Sequence, residues 1–497
     1  LSPADQRQAA RVAAGIDAAG IDRVEGVETG APEQRSPDGK LQLGQVSFEG
    51  TSGEEPVMNA AEAVREQASA QLRGTDLEVG LTGDAAIKLD DRDAHDTAEK
   101  TVGVATIGLI LVLLLALFRS PVAAILPIAS IALVFLIASS LIALVAEGFG
   151  FDVSLDLPPL LTVVLFGIGT DYILFTLFRY RERLRGGARG REALIHAAGR
   201  VGEVITFAAF VVIVAFSALG LSQLGSLQTM APGLVIGVAL MWLAGVTLIP
   251  ALLSLLGPRV FWPSRSWQAQ PSNPIYRRLG GLISRRPGRV GLASGGALVA
   301  LAAGALFYSA DYDSIDQLPS DAESRLAYED MRASFPAGSI TPTHVYVTGE
   351  QPLDRSRLAA LATEAERPAG VASVKPPVYS PDGRSARIDV VLADNPYSNA
   401  ALDAVDGPIR DAAHASGAGE RVLVGGQTAA RADIRAATNG DLTVVFPAAA
   451  LAIGLLLAWL LRSLIAPLYL LSAVMLGFAA TLGLTVGAFQ GLFGEAG

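Results

Sequence analysis

The residue whose type and position ask for chemistry is Asp171. It lies in the run Leu165-Phe166-Gly167-Ile168-Gly169-Thr170-Asp171-Tyr172-Ile173-Leu174-Phe175, about 12 Å of helix before Arg179. If that run crosses a bilayer, the carboxylate sits near the midplane. A charge there costs about several kcal/mol unless it is paired or protonated, and ionisable groups at this depth mark ion pathways and proton relays. The chemistry indicated is uptake and release of a proton; the plainer reading is a structural aspartate bonded to a neighbouring helix. Tyr172 is a candidate to orient Asp171 or its partner, although adjacent helical residues point about 100° apart. Gly167 and Gly169 permit close helix approach, as do the pairs Gly233/Gly237 and Gly291/Gly295. Glu203 is read as complementing the start of the next helix. Thr206, Ser217 and Thr247 are hydroxyls of the kind that bridge helices.

Other chemistries leave no trace. The chain has no cysteine, and its four histidines (His95, His196, His344, His414) are scattered, so neither a metal site nor a thiol nucleophile is expected. There is no G-x-x-x-x-G-K-[ST] loop, no G-x-S-x-G elbow and no H-E-x-x-H, so no ATP hydrolysis, no enzyme activity and no cofactor are expected. A net charge of −10 speaks against nucleic acid. An ion gradient is the simplest remaining driving force.

The elements that must position Asp171 follow from composition. With 51% hydrophobic residues, 17% charged residues and a mean hydropathy of +0.43, the chain is not a water-soluble protein. Apolar stretches of membrane-spanning length are expected near 101–118, 121–146, 158–178, 203–221, 231–256, 290–309, 442–461 and 464–490. The expected organisation is an α+β domain over 1–100, a five-helix bundle over 101–256, a basic loop over 257–289, a helix over 290–309, a second α+β domain over 310–440 and two helices over 441–497.

Charge orients this layout. Residues 1–100 hold 20 acids and 10 bases, and residues 310–440 hold 19 and 12. Seven arginines between Arg179 and Arg200 follow the third stretch. Another seven follow the fifth: Arg259, Arg265, Arg277, Arg278, Arg285, Arg286 and Arg289. Arg119 and Arg462 stand in tight turns. If every stretch crosses, all four basic connections share one side, which the positive-inside rule makes cytoplasmic, and both acidic domains lie outside the cell membrane.

The chain also repeats. Phe118-Arg119-Ser120 matches Leu461-Arg462-Ser463 at an offset of 343, which also pairs Gly83 with Gly426 and Asp90 with Asp433. Ser36-Pro37-Asp38-Gly39 matches Ser380-Pro381-Asp382-Gly383 at 344. Each tetrapeptide reads as a turn between strands, 23–28 and 41–49 in one copy, 371–378 and 385–393 in the other. A helix follows in each (58–72, 398–413), then a short strand (77–81, 421–424). Both copies enter the membrane after an acidic domain, so the repeat is parallel. With Leu at residue 1, no signal peptide, the twin of the 290–309 helix falling before residue 1 and Gly497 matching Ser154, just short of the third stretch, the chain is expected to be a fragment. It would hold eight of about twelve helices, lacking the first and the last.

The segment from Gly167 to Phe175, running into Phe178-Arg179-Tyr180-Arg181-Glu182, resembles the fourth-helix signature of the MMPL branch of the resistance-nodulation-division (RND) superfamily, and the whole chain resembles that family in layout. The resemblance implies an exporter driven by the proton-motive force, with Asp171 and Tyr172 as half of a proton relay and lipids, glycolipids, polyketides or similar amphiphiles as cargo. It leaves two other readings to weigh: a sterol-sensing, receptor-like or translocation-accessory relative, and an intramembrane aspartyl protease, which would need a second facing aspartate.

Overall fold

The computed structural model describes residues 1–150, 153–154, 157–263, 274–308, 315, 318–335, 341–415 and 421–493. Arg265 and Gly497 lie outside the described residues. In chain order the first polar block forms α1 (Pro3–Ala18), the hairpin β1 (Val24–Thr29) and β2 (Gly44–Phe48), and α2 (Glu55–Leu72). Then come α3 (Asp84–Phe118), α4 (Pro121–Phe149), α5 (Leu157–Arg185), α6 (Gly190–Ser217), α7 (Gly225–Val246) and α8 (Leu248–Leu256). The basic connection holds α9 (Pro274–Arg285), and α10 (Pro287–Ala302) follows. The second polar block forms α11 (Glu323–Ser334), β3 (Thr343–Thr348), α12 (Arg355–Ala365), β4 (Val371–Val374), β5 (Val378–Tyr379), β6 (Ser385–Leu392), α13 (Asn399–Ala404), α14 (Arg410–Ala415) and β7 (Arg421–Gly425). Two long helices close the chain, α15 (Gln427–Leu461) and α16 (Ile465–Val486).

Two compact units result: Leu1–Lys100 with Ala310–Arg435, and Thr101–Ser309 with Ala436–Glu495. The polar unit contains both α+β copies. Its larger sheet has strand order β4-β6-β3-β7, with β5 beside β6. Along β3, Thr343, Val345 and Val347 are buried, alternating with more exposed neighbours, as a half-buried strand requires. Ile87 packs with Leu318, Tyr328, Met331 and Tyr397, so one cluster is built from both blocks.

The turn chemistry repeats nearly atom for atom. Ser36 Oγ donates to Asp38 Oδ1 at 2.6 Å, and Ser380 Oγ donates to Asp382 Oδ1 at 2.6 Å. The Asp38 oxygen accepts the Lys40 amide and the Asp382 oxygen the Arg384 amide, each at 3.1 Å. Gly39 and Gly383 turn the chain at φ 70° and 68°, where a Cβ would be strained. Arg119 and Arg462 match likewise, at φ 51° and 50°.

One expected strand is absent: 77–81 is irregular. Its counterpart β7 pairs with β3, Val345 opposite Val424. Among the described residues no strand pairs with 77–81. Instead Leu77 and Leu81 pack beside the α1–α2 core, and the Leu81 amide donates to Glu323 Oε1 at 3.1 Å.

In the apolar unit, seven helices among the described residues are long and apolar enough to cross a membrane, with mean hydropathy between 1.9 and 2.7. The eighth expected stretch is the shorter apolar end of α3, Gly103–Phe118. Gly237 of α7 explains the tight packing: a Cβ there would lie 2.4 Å from Leu161 Cδ1, and one at Gly233 would lie 2.5 Å from Leu157 Cδ2. Gly291 and Gly295, by contrast, meet nothing within 4 Å among the described residues.

Candidate functional site

Helix α5 carries two opposite stripes. Leu161, Leu165, Gly169, Ile173, Leu177, Tyr180 and Leu184 recur at three- and four-residue spacing and are buried against α4, α6 and α7. The other stripe runs through Leu160, Val163, Gly167, Asp171 and Phe175, all exposed. Asp171 thus stands with apolar residues on a face that its own bundle does not cover, and it makes no hydrogen bond or ion pair among the described residues.

Tyr172 points elsewhere. It is 5% exposed and packs its ring beside Gly245 of α7 and Ile205 of α6. Its hydroxyl is buried with no hydrogen-bond partner among the described residues, and so is the Thr170 hydroxyl. The two candidates therefore occupy different faces, as the 100° step requires. Gly169 allows α5 to close on Ile131 and Met241, since a Cβ would come within 2.7 Å and 2.9 Å of their side chains; Gly167 meets nothing within 4 Å.

One turn beyond Asp171, Phe175 begins a groove of about 310 Å³ between α5 and α6, closed by Phe178, Arg179, Glu182, Arg200, Val201 and Val204. Arg179 pairs with Glu182 at 2.5 Å, and Arg200 with Glu203 at 4.0 Å. Glu203 does not complement a helix start. Helix α6 begins at Gly190, which puts Glu203 in its interior beside the groove.

The two ends of the apolar unit are locked differently. At the arginine-rich end, Phe118 lies 5.3 Å from Phe178 and 6.4 Å from Phe261, and Tyr180 stacks on Phe261 at 6.1 Å. The Arg181 guanidinium lies 5.9 Å from the Phe118 ring centre and 5.8 Å from that of Phe178. Buried Ser120 donates to the carbonyls of Val260 and Trp262. The turn at Arg119, the last turns of α5 and the segment after α8 therefore share one end, as alternating crossings demand. Elsewhere in the unit, Asp441 of α15 is buried and accepts from Ser222 Oγ and, at 2.7 Å, from the Gln223 amide. Asp441 thereby anchors the loop before α7, a role that its position just ahead of the 442–461 apolar stretch does not signal. Thr206 does bridge helices, accepting from Trp242 Nε1 at 3.0 Å, whereas Ser217 and Thr247 bond carbonyls of their own helices.

Among the described residues no group of three or more metal-ligating side chains occurs.

Duplicated α+β blocks, each leading by a long helix into apolar spans, with a carboxylate mid-span, define a multi-pass membrane protein of the RND type. The MMPL family model matches residues 2–290 and 316–496, and the chain belongs to that family. It is 35% identical over 464 residues to the Streptomyces coelicolor protein SCO5905, an alignment covering 92% of this chain and 54% of that one. It is 30% identical to the apo-petrobactin exporter of Bacillus anthracis, over 83% of this chain and 58% of the relative. It is 32% identical to the sulfolipid-1 exporter MmpL8 of Mycobacterium tuberculosis, over 70% of this chain and 32% of the relative. The chain spans about half the length of the first of these relatives.

Proposed function

We propose that this chain works in a proton-driven exporter that moves lipids or other amphiphiles across the cell membrane, with Asp171 taking up and releasing the proton. The observation that carries the reading is the position of Asp171: mid-span, on the exposed stripe of α5, among apolar residues. A carboxylate facing hydrocarbon or another helix there is tolerated when it cycles through its neutral form. Protonation removes the charge, and the face carrying Leu160, Val163, Gly167 and Phe175 can then pack against apolar surface; deprotonation reverses this. The groove that begins at Phe175, one turn from Asp171, brings the charged side chains of Arg179, Glu182 and Arg200 among apolar ones of α5 and α6. Tyr172, through the buried hydroxyl on the adjacent face, belongs to the packing that holds α5 in register and to the relay only if its hydroxyl finds a partner during the cycle.

The cargo class is supported by the relatives named as exporters of sulfolipid-1 and of apo-petrobactin. The acidic α+β blocks, 1–100 and 310–440, are assigned to the outside, and the arginine-rich connections to the cytoplasm. The shared end of Arg119, Arg181 and Phe261 supports this assignment, since it collects positive charge on one side of the bundle.

The test is comparative profiling of extracellular and envelope lipids in a deletion strain carrying the complete gene, wild type or Asp171→Asn, at equal membrane levels. The wild type is expected to restore one amphiphile class outside the cell and Asp171→Asn to leave it inside. Equal restoration by both makes Asp171 structural; an unchanged profile on deletion removes the export reading itself.

A further inference from the structure

Among the described residues nothing covers one face of helix α9. Leu279, Leu282 and Ile283 follow the i, i+3, i+4 spacing of one helix face and are 52%, 53% and 46% exposed. On the opposite arc lie Arg277, Arg278 and Arg285, with Gly280, Gly281 and Ser284 between. Arg286 and Arg289 continue the positive charge past the end of the helix. No acidic residue occurs between Glu203 and Asp311, so nothing in this stretch of sequence neutralises those arginines.

Location decides what covers the apolar face. Helix α10 begins at Pro287, two residues after α9 ends, and opens the span Pro287–Phe307. The chain turns sharply between them at Arg286 (φ −140°, ψ 56°). An amphipathic helix that ends at the mouth of a membrane span is held at the bilayer surface, where headgroup phosphates and the first methylenes meet its two faces together. A soluble protein partner would meet the apolar face only by displacing lipid from it.

We propose that α9 is an anionic-phospholipid binding element: it lies along the bilayer surface with Leu279, Leu282 and Ile283 among the acyl chains and Arg277, Arg278, Arg285, Arg286 and Arg289 on lipid phosphates. The occupant is the membrane leaflet, and recognition is of its negative charge. The inference requires only the span at α10, and holds whether or not Asp171 carries protons.

The chain has no cysteine, so a single one can be introduced and labelled. The complete protein carrying Leu282→Cys with an environment-sensitive dye is reconstituted in phosphatidylcholine vesicles, with or without about 30 mol% phosphatidylglycerol. The dye is expected to shift to the blue and become shielded from an aqueous quencher when phosphatidylglycerol is present. Each arginine changed to Gln should weaken that partitioning about fivefold, while Arg→Lys retains it. A dye on Ser284→Cys, on the polar arc, should stay quenchable throughout. Equal quenching at position 282 in both vesicle types overturns the proposal, as does equal shielding in both vesicle types and in detergent, which would place α9 against protein.

Discussion

The two α+β copies share their turns and differ in their sheets. Ser36 to Gly39 and Ser380 to Gly383 fold through the same hydrogen bonds at the same lengths, yet the first copy has a two-stranded hairpin and the second a five-stranded sheet. Contacts spanning two to five residues depend on local sequence alone and survive duplication. Strand pairing depends on a distant partner: β7 becomes a strand beside β3, and the corresponding 77–81 stays irregular without one. The same division runs through the buried ion pairs. Asp90 meets Arg65 at 2.7 Å with side chains 9% and 17% exposed, while its match Asp433 meets an arginine that the repeat does not pair with Arg65, Arg410, at 2.6 Å and is itself 64% exposed. Matched residues thus hold unequal stakes.

Substituting both members of each matched pair sharpens this. Asp90→Asn is expected to have the largest effect, destabilising the protein by about 3 kcal/mol in chemical unfolding, because Arg65 keeps its charge in a mostly buried site and the Ser324 amide loses an ionic acceptor. Asp433→Asn should cost at most about 1 kcal/mol, screened by solvent. Equal losses would show that position in the repeat, not burial, sets the cost. Next in size is overpacking in the membrane helices: Gly237→Val should cost about 2–3 kcal/mol through its clash with Leu161, whereas Gly295→Val, in open space, should stay within about 0.5 kcal/mol.

Acid titration separates two carboxylates of α3. Hydrogen bonds from Arg65 and Ser324 overcome burial and hold Asp90 below the usual carboxylate value. Its contribution is complete above the unfolded-state pKa near 3.8 and is lost as pH falls through the lower folded-state value. Asp84 is shifted the other way, because burial outweighs the hydrogen bond from Gln427. Its contribution is complete below pH 3.8 and is lost as pH rises through the raised folded-state value. Asp84→Asn should therefore gain stability relative to wild type as pH rises above 3.8, whereas Asp90→Asn should lose it as pH rises toward 3.8 and stay level above that. Parallel pH profiles for the two variants would contradict these opposite shifts. The smallest effects are expected from Asp38→Asn and Asp382→Asn, which should lower the melting temperature by equal amounts; unequal shifts would break the local equivalence of the turns.

These contrasts also mark what the sequence made legible. The repeat, the turns and the mid-span position of Asp171 are legible because each depends on residue type and local spacing. The opposed faces of Asp171 and Tyr172 follow from helix geometry, but which face is covered depends on how α4, α6 and α7 pack around α5. Asp441 lies 219 residues from Ser222, the hydroxyl it binds, a separation over which periodicity carries no signal. Glu203 was assigned to a helix start because the apolar stretch begins there, whereas α6 extends in polar sequence back to Gly190. Helix α9 was hidden among the arginines of what read as a basic loop, although its leucines already held helical spacing.

The central claim is that Asp171 carries the proton. It is tested most directly by recording proton flux in membrane vesicles containing the complete protein, with an imposed pH gradient followed by an entrapped pH-sensitive dye. Wild-type vesicles are expected to pass protons, and Asp171→Asn vesicles to fall to the rate of vesicles lacking the protein. Undiminished flux in Asp171→Asn would contradict the account.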